Sequence, residues 1–548
     1  MTPPANEGGD HQDVVRSAGI VSAAVMLSRL TGLAREIVMA RLFGAGIAKD
    51  AFDLGFRIPN LTRDLFAEGA LSSAFVPTFT RYLAEHGKRE AAHLSNLVAT
   101  ALVLVVGLLT ALGMLGSPQL VDLLAGGFRH IPGKYELAVG LTRVMFPFLL
   151  LVALAAQAMG VLNANRQFGI PALASTFFNV GSLIVGMAGV FWVAPAWGLP
   201  PIYGMAFGIV VGGALQFLCQ VPSLIRSGFH YRPAIDFSHP GLRQILVLMG
   251  PAILGSAAVQ INVMVNTHYA AGITNAAGQV INGPVSWLGY AFRFMQLPLG
   301  VFGVAIASAT LPAISRSAAL KDYAGFRDML GRSLGMVFLL TVPSSVGLAI
   351  LGESIIGLVY EGGALTAFDT QQTSIALTCY ALGLAGYSAV KVLAPAFYAL
   401  NDSRTPMVVS LLSIGINLAA AWVMVRVLRV GHGGLALSTS IVALFNFFVL
   451  LWRIRKPIGG IYGRALLSSC LKIGSASAAM GIVCWVSSHG ITSALGTTRS
   501  ARLVDVLVSA PAGVAVFYAV ARQLRLPELT AAWNSLGRPM VRKLGLRK

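Results

Sequence analysis

Long apolar segments recur along this chain from residue 16 to residue 521, and they limit its fold more than any other feature. Fourteen such segments are found, at about 16–40, 51–80, 95–120, 144–165, 170–194, 201–225, 244–271, 284–314, 333–352, 371–400, 405–428, 433–452, 465–489 and 503–521. A transmembrane helix needs about 20 apolar residues. Charged residues make up 11% of the chain, whereas a soluble domain has about 25%. The sequence therefore predicts an all-α polytopic membrane protein, and the net charge of +19 does not indicate a nucleic-acid binder.

The distribution of Lys and Arg predicts the orientation. The run from Gln167 to Ile225 carries no charge and is too long for one span, so we expect a tight hairpin at Pro195–Pro201. With fourteen spans, 25 of the 40 cations fall on one side of the membrane, 9 on the other and 6 within it. Because cytoplasmic loops are rich in Lys and Arg, both termini are predicted to be cytoplasmic.

An internal duplication predicts the domain organisation. Three patterns recur after about 235 residues: Ser22–Val25 as Ser256–Val259, Ala70–Arg81 as Ala305–Arg316, and Leu162-Asn163 as Leu400-Asn401. The offset covers six helices, so the copies have the same orientation, which is typical of two parallel lobes around a central cavity. The predicted parts are a cytoplasmic tail (1–15), an N-lobe (16–226), a C-lobe (241–456), an appended helix pair (463–522) and a basic cytoplasmic tail (523–548).

Six cations lie well inside the apolar segments, whereas every other Lys and Arg can be placed in a loop or at a helix end, and these six predict the class of cargo. They are Arg29, Arg35, Arg57, Arg63, Arg293 and Lys391. A charge at membrane depth costs roughly 2.5–3.5 kcal/mol on insertion scales, so such residues usually face a water-filled cavity and bind something. Arginine stays charged and matches phosphate oxygens with its planar fork. We therefore expect a transporter whose cargo carries phosphate.

Nearby acids leave other interpretations open. Asp53 and Arg57 are four residues apart on a helix, as are Asp64 and Glu68, so these acids could hold the arginines in place or be titrated during transport. Arg57 could serve only as the ion-pair partner of Asp53. Lys391 could snorkel to the interface or brace a helix.

No cofactor is predicted. The chain has no GxxxxGK[ST] loop, so nothing indicates ATP hydrolysis. Its four cysteines (Cys219, Cys379, Cys470 and Cys484) lack metal-ligand spacing and are predicted to pack as small apolar residues.

Several motifs together resemble the MurJ (MviN-type) lipid II flippase family of the MOP exporter superfamily. They are Ser28–Arg35, Phe43–Gly46 with Asp50–Phe52, Pro59-Asn60, Phe66–Ala70 with Ala74–Pro77, Pro298–Val304 and Lys391–Phe397. The resemblance covers about residues 16–525. It implies two six-helix lobes with two extra helices. It also implies movement of an undecaprenyl-diphosphate-linked disaccharide-pentapeptide from the inner to the outer leaflet of the bacterial cytoplasmic membrane, for peptidoglycan synthesis.

The same resemblance implies the site residues. The positions that match the family's central cavity are Arg29, Arg35, Asp50, Arg63, Glu68 and Arg293, with Ser28 beside them. The lipid tail would lie along a groove formed by helices 13 and 14. Many members have an acid directly before the helix-8 arginine and a glutamate three residues after it, where this chain has Phe292 and Gln296. The resemblance therefore implies no coupling role for these two positions of this chain.

We expect alternating access by a monomer whose partners are the lipid-linked precursor, membrane lipids and the cell-wall synthesis machinery. The membrane potential, worth about 2.3 kcal/mol per charge per 100 mV, or an ion gradient could drive the cycle.

An O-antigen or polysaccharide-repeat flippase would use the same phosphate chemistry. A drug exporter of the superfamily would need acids and aromatics rather than arginines. A membrane glycosyltransferase would need an outward-facing acid constellation that is not evident.

Overall fold

A computed structural model describes residues 7–63 and 71–532, and these ranges are almost entirely helical. Within them no strand is present, and the nearest approach to one is an isolated bridge between Gly362 and Leu365. The expected all-α class is therefore confirmed. The chain divides into two compact units, the first comprising residues up to Gly272 with Ala276–Asn282 and the second comprising Ile273–Asn275 and the residues from Gly283 onward.

The first unit contains twelve α-helices in its described part. They are α1 (Glu7–Phe43), α2 (Ile47–Arg63), α3 (Ser72–Glu85), α4 (Gly87–Leu115), α5 (Ser117–Ala125), α6 (Lys134–Met145), α7 (Phe148–Ala164), α8 (Gly169–Ala188), α9 (Ala194–Ala196), α10 (Ile202–Leu218), α11 (Val221–Arg226) and α12 (Pro240–Ala271). A π-helical segment, Gly189–Val193, joins α8 to α9.

The second unit contains ten α-helices in its described part. They are α13 (Pro284–Pro298), α14 (Ala305–Ala319), α15 (Tyr323–Tyr360), α16 (Ala367–Ala381), α17 (Leu384–Ala399), α18 (Arg404–Trp422), α19 (His432–Ile454), α20 (Gly463–Leu495), α21 (Arg499–Gln523) and α22 (Pro527–Ala532). A π-helical segment, Leu299–Val304, joins α13 to α14.

The helices account for the predicted spans in most of the chain. Ten helical stretches in the described ranges are long and apolar enough to cross a membrane, or eleven if the bent pair α16–α17 is one span. The described parts of the other predicted segments, at 16–40, 51–80 and 244–271, are helical but do not meet that test of length and composition. The structure is consistent with fourteen spans, and that number stays a prediction.

The predicted hairpin between the fifth and sixth spans is confirmed. One candidate span ends at Ala196 and the next begins at Ile202. Between them Gly198 has φ +65°, a conformation that glycine adopts without strain.

The packing of α8 on α10 explains why these helices are rich in glycine. A Cβ added at Gly204 would lie 2.1 Å from the backbone nitrogen of Val190, and one at Gly208 would lie 2.4 Å from the carbonyl oxygen of Ser182. Backbones this close leave no room for larger residues, and helices inside membranes associate through such small-residue contacts. The sequence therefore fixes how α8 and α10 pack inside the first unit.

The helix α12 packs in the first unit, although the sequence repeat places it at the start of the C-lobe. Its Gln244 accepts a hydrogen bond from Arg81 of α3. The ring of His268 lies 3.0 Å from the carbonyl oxygen of Leu123 on α5. These contacts assign α12 to the first unit by packing, whereas the repeat describes its place in the duplicated sequence. The predicted lobe boundaries stay predictions.

Each unit has its own apolar core. In the first unit Phe75, Phe79 and Leu94 are almost fully buried in a cluster formed by α3, α4, α7 and the first turns of α12. In the second unit Phe326, Phe397 and Ile454 are buried in a cluster around α15, α17, α19, α20 and α21. These cores support the helices that carry the buried charges described below.

Candidate functional site

A chain of charged groups links α1 to α2 in the first unit. Arg35 Nη2 lies 3.3 Å from Glu36 Oε1, and Glu36 Oε2 lies 3.9 Å from Lys49 Nζ. Lys49 in turn donates a hydrogen bond of 2.5 Å to Asp53 Oδ1. The side chain of Lys49 is only 3% exposed. Because charges this poorly solvated are stable only when paired, the four residues fix α1 and α2 against each other.

Arg29 and Arg35 occupy different environments. Arg35 is 7% exposed and its guanidinium lies 5.2 Å from the ring centre of Phe178 on α8, a cation–π contact. Arg29 is exposed. The helix α1 is continuous through Thr31 and Gly32, so six residues separate the two side chains by about 240° beyond a full turn. The loosening of the helix that would let both arginines converge is not observed, and of the two only Arg29 is exposed on the surface of the protein.

Asp50 is held in a buried ion pair. Lys134 Nζ donates to Asp50 Oδ2 at 2.8 Å and to Asn282 Oδ1 at 2.9 Å, all within the first unit. The side chains of Lys134 and Asp50 are 1% and 0% exposed. Lys134 Nζ also lies 4.2 Å from the ring centre of Phe128. Asp50 therefore joins the first turn of α2 to the first turn of α6, and the cargo contact that the resemblance implies for it stays a prediction.

Arg57 is hydrogen-bonded to α12, while Asp53, the partner considered for it from their spacing, forms an ion pair with Lys49. Arg57 Nη1 donates a hydrogen bond of 2.5 Å to Thr267 Oγ1 on α12. Asp53 bonds to Lys49, and its Oδ2 is buried without a hydrogen-bond partner in the described chain. The helix α2 continues through Pro59 to Arg63, which is partly buried.

Ser28 is engaged by a neighbouring helix. Asn179 Nδ2 of α8 donates to the carbonyl oxygen of Ser28 at 3.0 Å and lies 3.5 Å from its hydroxyl oxygen. A Cβ added at Gly32 would lie 3.4 Å from the same Asn179 nitrogen. Ser28 and Gly32 are four residues apart on the same face of α1, and together they let this helix approach the amide of Asn179.

Arg293 and Lys391 belong to the second unit. Arg293 lies on α13 and is exposed, five residues before Pro298 and the π-helical segment. Its neighbour Phe292, which stands where many members have an acid, packs its ring 5.4 Å from that of Tyr380. Lys391 on α17 is exposed as well. A π-helical segment inside a helix often marks a functional site, and here it follows the arginine.

Two of the predicted site residues, Asp64 and Glu68, lie outside the described residues. In the described ranges no group of three or more His, Cys, Asp or Glu side chains is placed to hold a metal ion.

Sequence reasoning missed the buried lysines Lys49 and Lys134. Both lie in the first turn of a helix, where a lysine normally reaches water, and so they were not counted among the intramembrane cations. Arg502 in the first turn of α21 was missed for the same reason, although it is 4% exposed and paired with Glu361. A buried cation needs an acidic partner, and such a partner is the only signal that the sequence could offer. An acid that is distant in the sequence cannot be recognised as that partner without the fold.

Comparison with known proteins identifies the family. The family model described as "Lipid II flippase MurJ" matches residues 39–501. The "Lipid II flippase MurJ" of Burkholderia cenocepacia is 34% identical over 454 residues, covering 82% of this chain and 85% of that protein. The "Probable lipid II flippase MurJ" of Rhizobium meliloti is 32% identical over 521 residues, covering 93% of both chains.

Solved structures agree with this result. A chain described as "Lipid II flippase MurJ, inward closed conformation" has a TM-score of 0.75 and 26% identity, covering 92% of this chain and 99% of that one. An inward-facing multidrug resistance MATE family transporter of the MOP superfamily has a TM-score of 0.67 at 14% identity, covering 81% of this chain and 98% of that one, which shows the shared fold alone. With the family model matching most of its length, this chain belongs to the lipid II flippase MurJ family.

Proposed function

We propose that this protein moves lipid II, the undecaprenyl-diphosphate-linked peptidoglycan precursor, from the inner to the outer leaflet of the cytoplasmic membrane. The match of the family model over residues 39–501 carries the proposal. The chain also covers 85% of the Burkholderia cenocepacia relative, so the proposal concerns a whole transporter. Arginine side chains at membrane depth supply the chemistry, because a diphosphate needs fixed, permanently charged donors.

In this proposal the exposed arginines meet the cargo and the buried charges hold the helices that carry them. Arg29 is exposed on α1 and is the first-unit cation best placed to bind phosphate. Arg35, with Glu36, Lys49 and Asp53, fixes α1 against α2. Arg35 is therefore a positioning residue in this conformation, and it meets cargo only if α1 moves during the cycle. In the second unit Arg293 is the corresponding exposed arginine.

Transport by alternating access needs no ATP in this proposal. The diphosphate and headgroup are captured from the cytoplasmic leaflet, the protein changes to an outward-open state, and the tail stays in lipid throughout. Product removal, the membrane potential or an ion gradient provides the direction. We propose that the protein works as a monomer in the cytoplasmic membrane, beside the cell-wall synthesis machinery and with both termini in the cytoplasm.

Two alternatives are less well supported. A flippase for O-antigen or other polysaccharide repeats would share the phosphate chemistry, but the family model and the named relatives specify lipid II. A drug exporter is suggested only by MATE structures at 14% identity, and these show the fold alone.

Complementation tests the proposal. The gene is expressed in a bacterium whose own lipid II flippase can be depleted. We expect growth and normal cell shape to be restored by this chain and not by an empty vector. Lysis on depletion, with the protein present in the membrane at normal abundance, would refute lipid II as the cargo.

A further inference from the structure

The second unit contains a pocket that the proposed transport does not use. Its volume is about 430 Å³, and it is lined by residues of α15, α19, α20, α22 and the segment between α19 and α20. Its apolar lining includes Leu330, Leu334, Leu451, Ile461 and Leu466. Ligand sites in proteins are typically concave, mostly apolar and of this size, with a few polar groups that fix orientation. We call this cavity the amphipathic pocket.

A carboxylate without a partner lies in the amphipathic pocket. Glu528 of α22 reaches across to α15, where a Cβ at Gly335 would lie 2.8 Å from its Cγ and 2.9 Å from its Oε1. Its Oε2 is buried and has no hydrogen-bond partner among the described residues. A buried polar atom left unsatisfied is costly, and such atoms normally mark a missing donor. Glu528 also lines the pocket, so its carboxylate can accept hydrogen bonds from a ligand that carries N–H or O–H groups.

Two arginines on α15 lie in the lining of the same pocket. Arg332 is 81% exposed, and Asp328 Oδ2 lies 3.8 Å from its Nη2. Arg327 donates through Nη1 to the carbonyl oxygen of Gly459 at 3.2 Å, and its guanidinium lies 5.8 Å from the ring centre of Tyr462. Arg332 is free to turn towards an anionic group, whereas Arg327 is held in place. The lining of the pocket thus contains the carboxylate of Glu528, the exposed guanidinium of Arg332 and several apolar side chains.

The pocket lies at the charged N-terminal end of α15. The helix α15 has 38 residues, well above the roughly 20 that cross a bilayer, and the arginines lie in its first ten residues. The neighbouring helix ends carry Arg453, Arg455, Lys456 and Arg464, and clusters of this kind are found at lipid headgroups on the cytoplasmic side. The pocket is therefore placed where a phospholipid headgroup and the top of its acyl chain would meet the protein.

We propose that the amphipathic pocket binds an aminophospholipid, with phosphatidylethanolamine as its type. The primary ammonium donates to the carboxylate of Glu528, the phosphate accepts from Arg332, and the acyl chain covers Leu334 and Leu466. The acid selects this headgroup, since phosphatidylcholine has no N–H to donate and phosphatidylglycerol has no positive charge. The proposal does not rest on the identity of the transported lipid.

Native mass spectrometry of the purified full-length protein tests this site. The protein is incubated with phosphatidylethanolamine, phosphatidylcholine or phosphatidylglycerol of identical acyl chains, and the retained lipid is counted. We expect phosphatidylethanolamine to be retained about tenfold more than phosphatidylcholine, the ratio that one charge-assisted hydrogen bond supplies. Equal retention of the two, or stronger retention of phosphatidylglycerol, would overturn the proposal.

Variants tie the preference to the pocket. Glu528→Gln keeps the shape of the side chain but removes its charge, and we expect the preference to disappear. The matched control Glu353→Gln changes an exposed glutamate elsewhere on α15 and should leave the preference intact. Ala465→Trp, which narrows the pocket, should lower retention of phosphatidylethanolamine while a melting curve checks folding. An unchanged preference in both Glu528→Gln and Ala465→Trp would place the lipid elsewhere and refute the site. Because no lipid II is used, failure here leaves the proposed transport untouched.

Discussion

Lys134 and Asp50 form an ion pair of 2.8 Å in which both side chains are buried, joining the starts of α6 and α2. Removing one member of such a pair leaves a buried charge without compensation, which costs about 3–5 kcal/mol. Lys134→Met and Asp50→Asn are therefore each expected to lower the melting temperature of the purified protein markedly. The double variant should recover part of that loss, because neither charge is then left alone.

The control for this pair is Lys456→Met, which removes an exposed lysine. It should leave the melting temperature within experimental error. If Lys134→Met melts like the control, the buried pair does not stabilise the first unit and Asp50 is free for another role.

A glycine on α15 makes room for the arginine that anchors α21. A Cβ at Gly357 would lie 1.6 Å from Arg502 Nη1, and Arg502 pairs with Glu361, the residue that directly follows α15. Gly357→Ala should displace the guanidinium and destabilise the protein by about 1–3 kcal/mol, the usual cost of overpacking. Gly474→Ala on α20, where nothing lies within 4 Å, should be neutral or stabilising by up to about 1 kcal/mol. Equal melting temperatures for the two variants would argue against this packing.

The duplication provides a matched comparison for cargo binding. Val263 occupies in the second copy the place of Arg29 in the first. Under depletion of the host flippase, Arg29→Leu and Arg293→Ala should fail to support growth because they remove exposed cations. Val263→Leu should grow normally, since it changes only an apolar side chain. Membrane abundance is measured for all three, and equal tolerance would contradict cargo recognition by these cations.

Fusions to a reporter that is active only in the cytoplasm test the orientation. They should be active at residue 86 and at the C-terminus and inactive at residues 198 and 365, because Lys and Arg concentrate in the segments predicted to be cytoplasmic. Activity at residue 198 would exclude the predicted arrangement of spans.

Features set by local pattern were predictable from the sequence. The all-α class, most of the spans and the turn at Gly198 follow from hydropathy and glycine, and the structure confirms them. The family followed from motifs on α1 and α2 and agrees with the comparisons. These features depend on neighbours in sequence, which is why a single chain reveals them.

Partners distant in sequence were not predictable. Asp53 has Arg57 and Lys49 at the same spacing of four residues on opposite sides, and the fold selects Lys49. Lys134 pairs with Asp50, which is 84 residues away in the sequence, and Arg502 pairs with Glu361, which is 141 residues away. The sequence does not show whether a lysine in the first turn of a helix is buried, because its burial depends on which helix packs beside it.

Lipid transport by the purified protein tests the central claim most directly. The protein is reconstituted into liposomes containing lipid II labelled on its headgroup, and a membrane-impermeant reagent reports how much label reaches the outer leaflet with time. We predict that the wild type and Val263→Leu accelerate translocation, whereas Arg29→Leu at the same protein density gives the rate of protein-free liposomes. Translocation by Arg29→Leu at the wild-type rate, or none by the wild type, would contradict a flippase that works through this arginine.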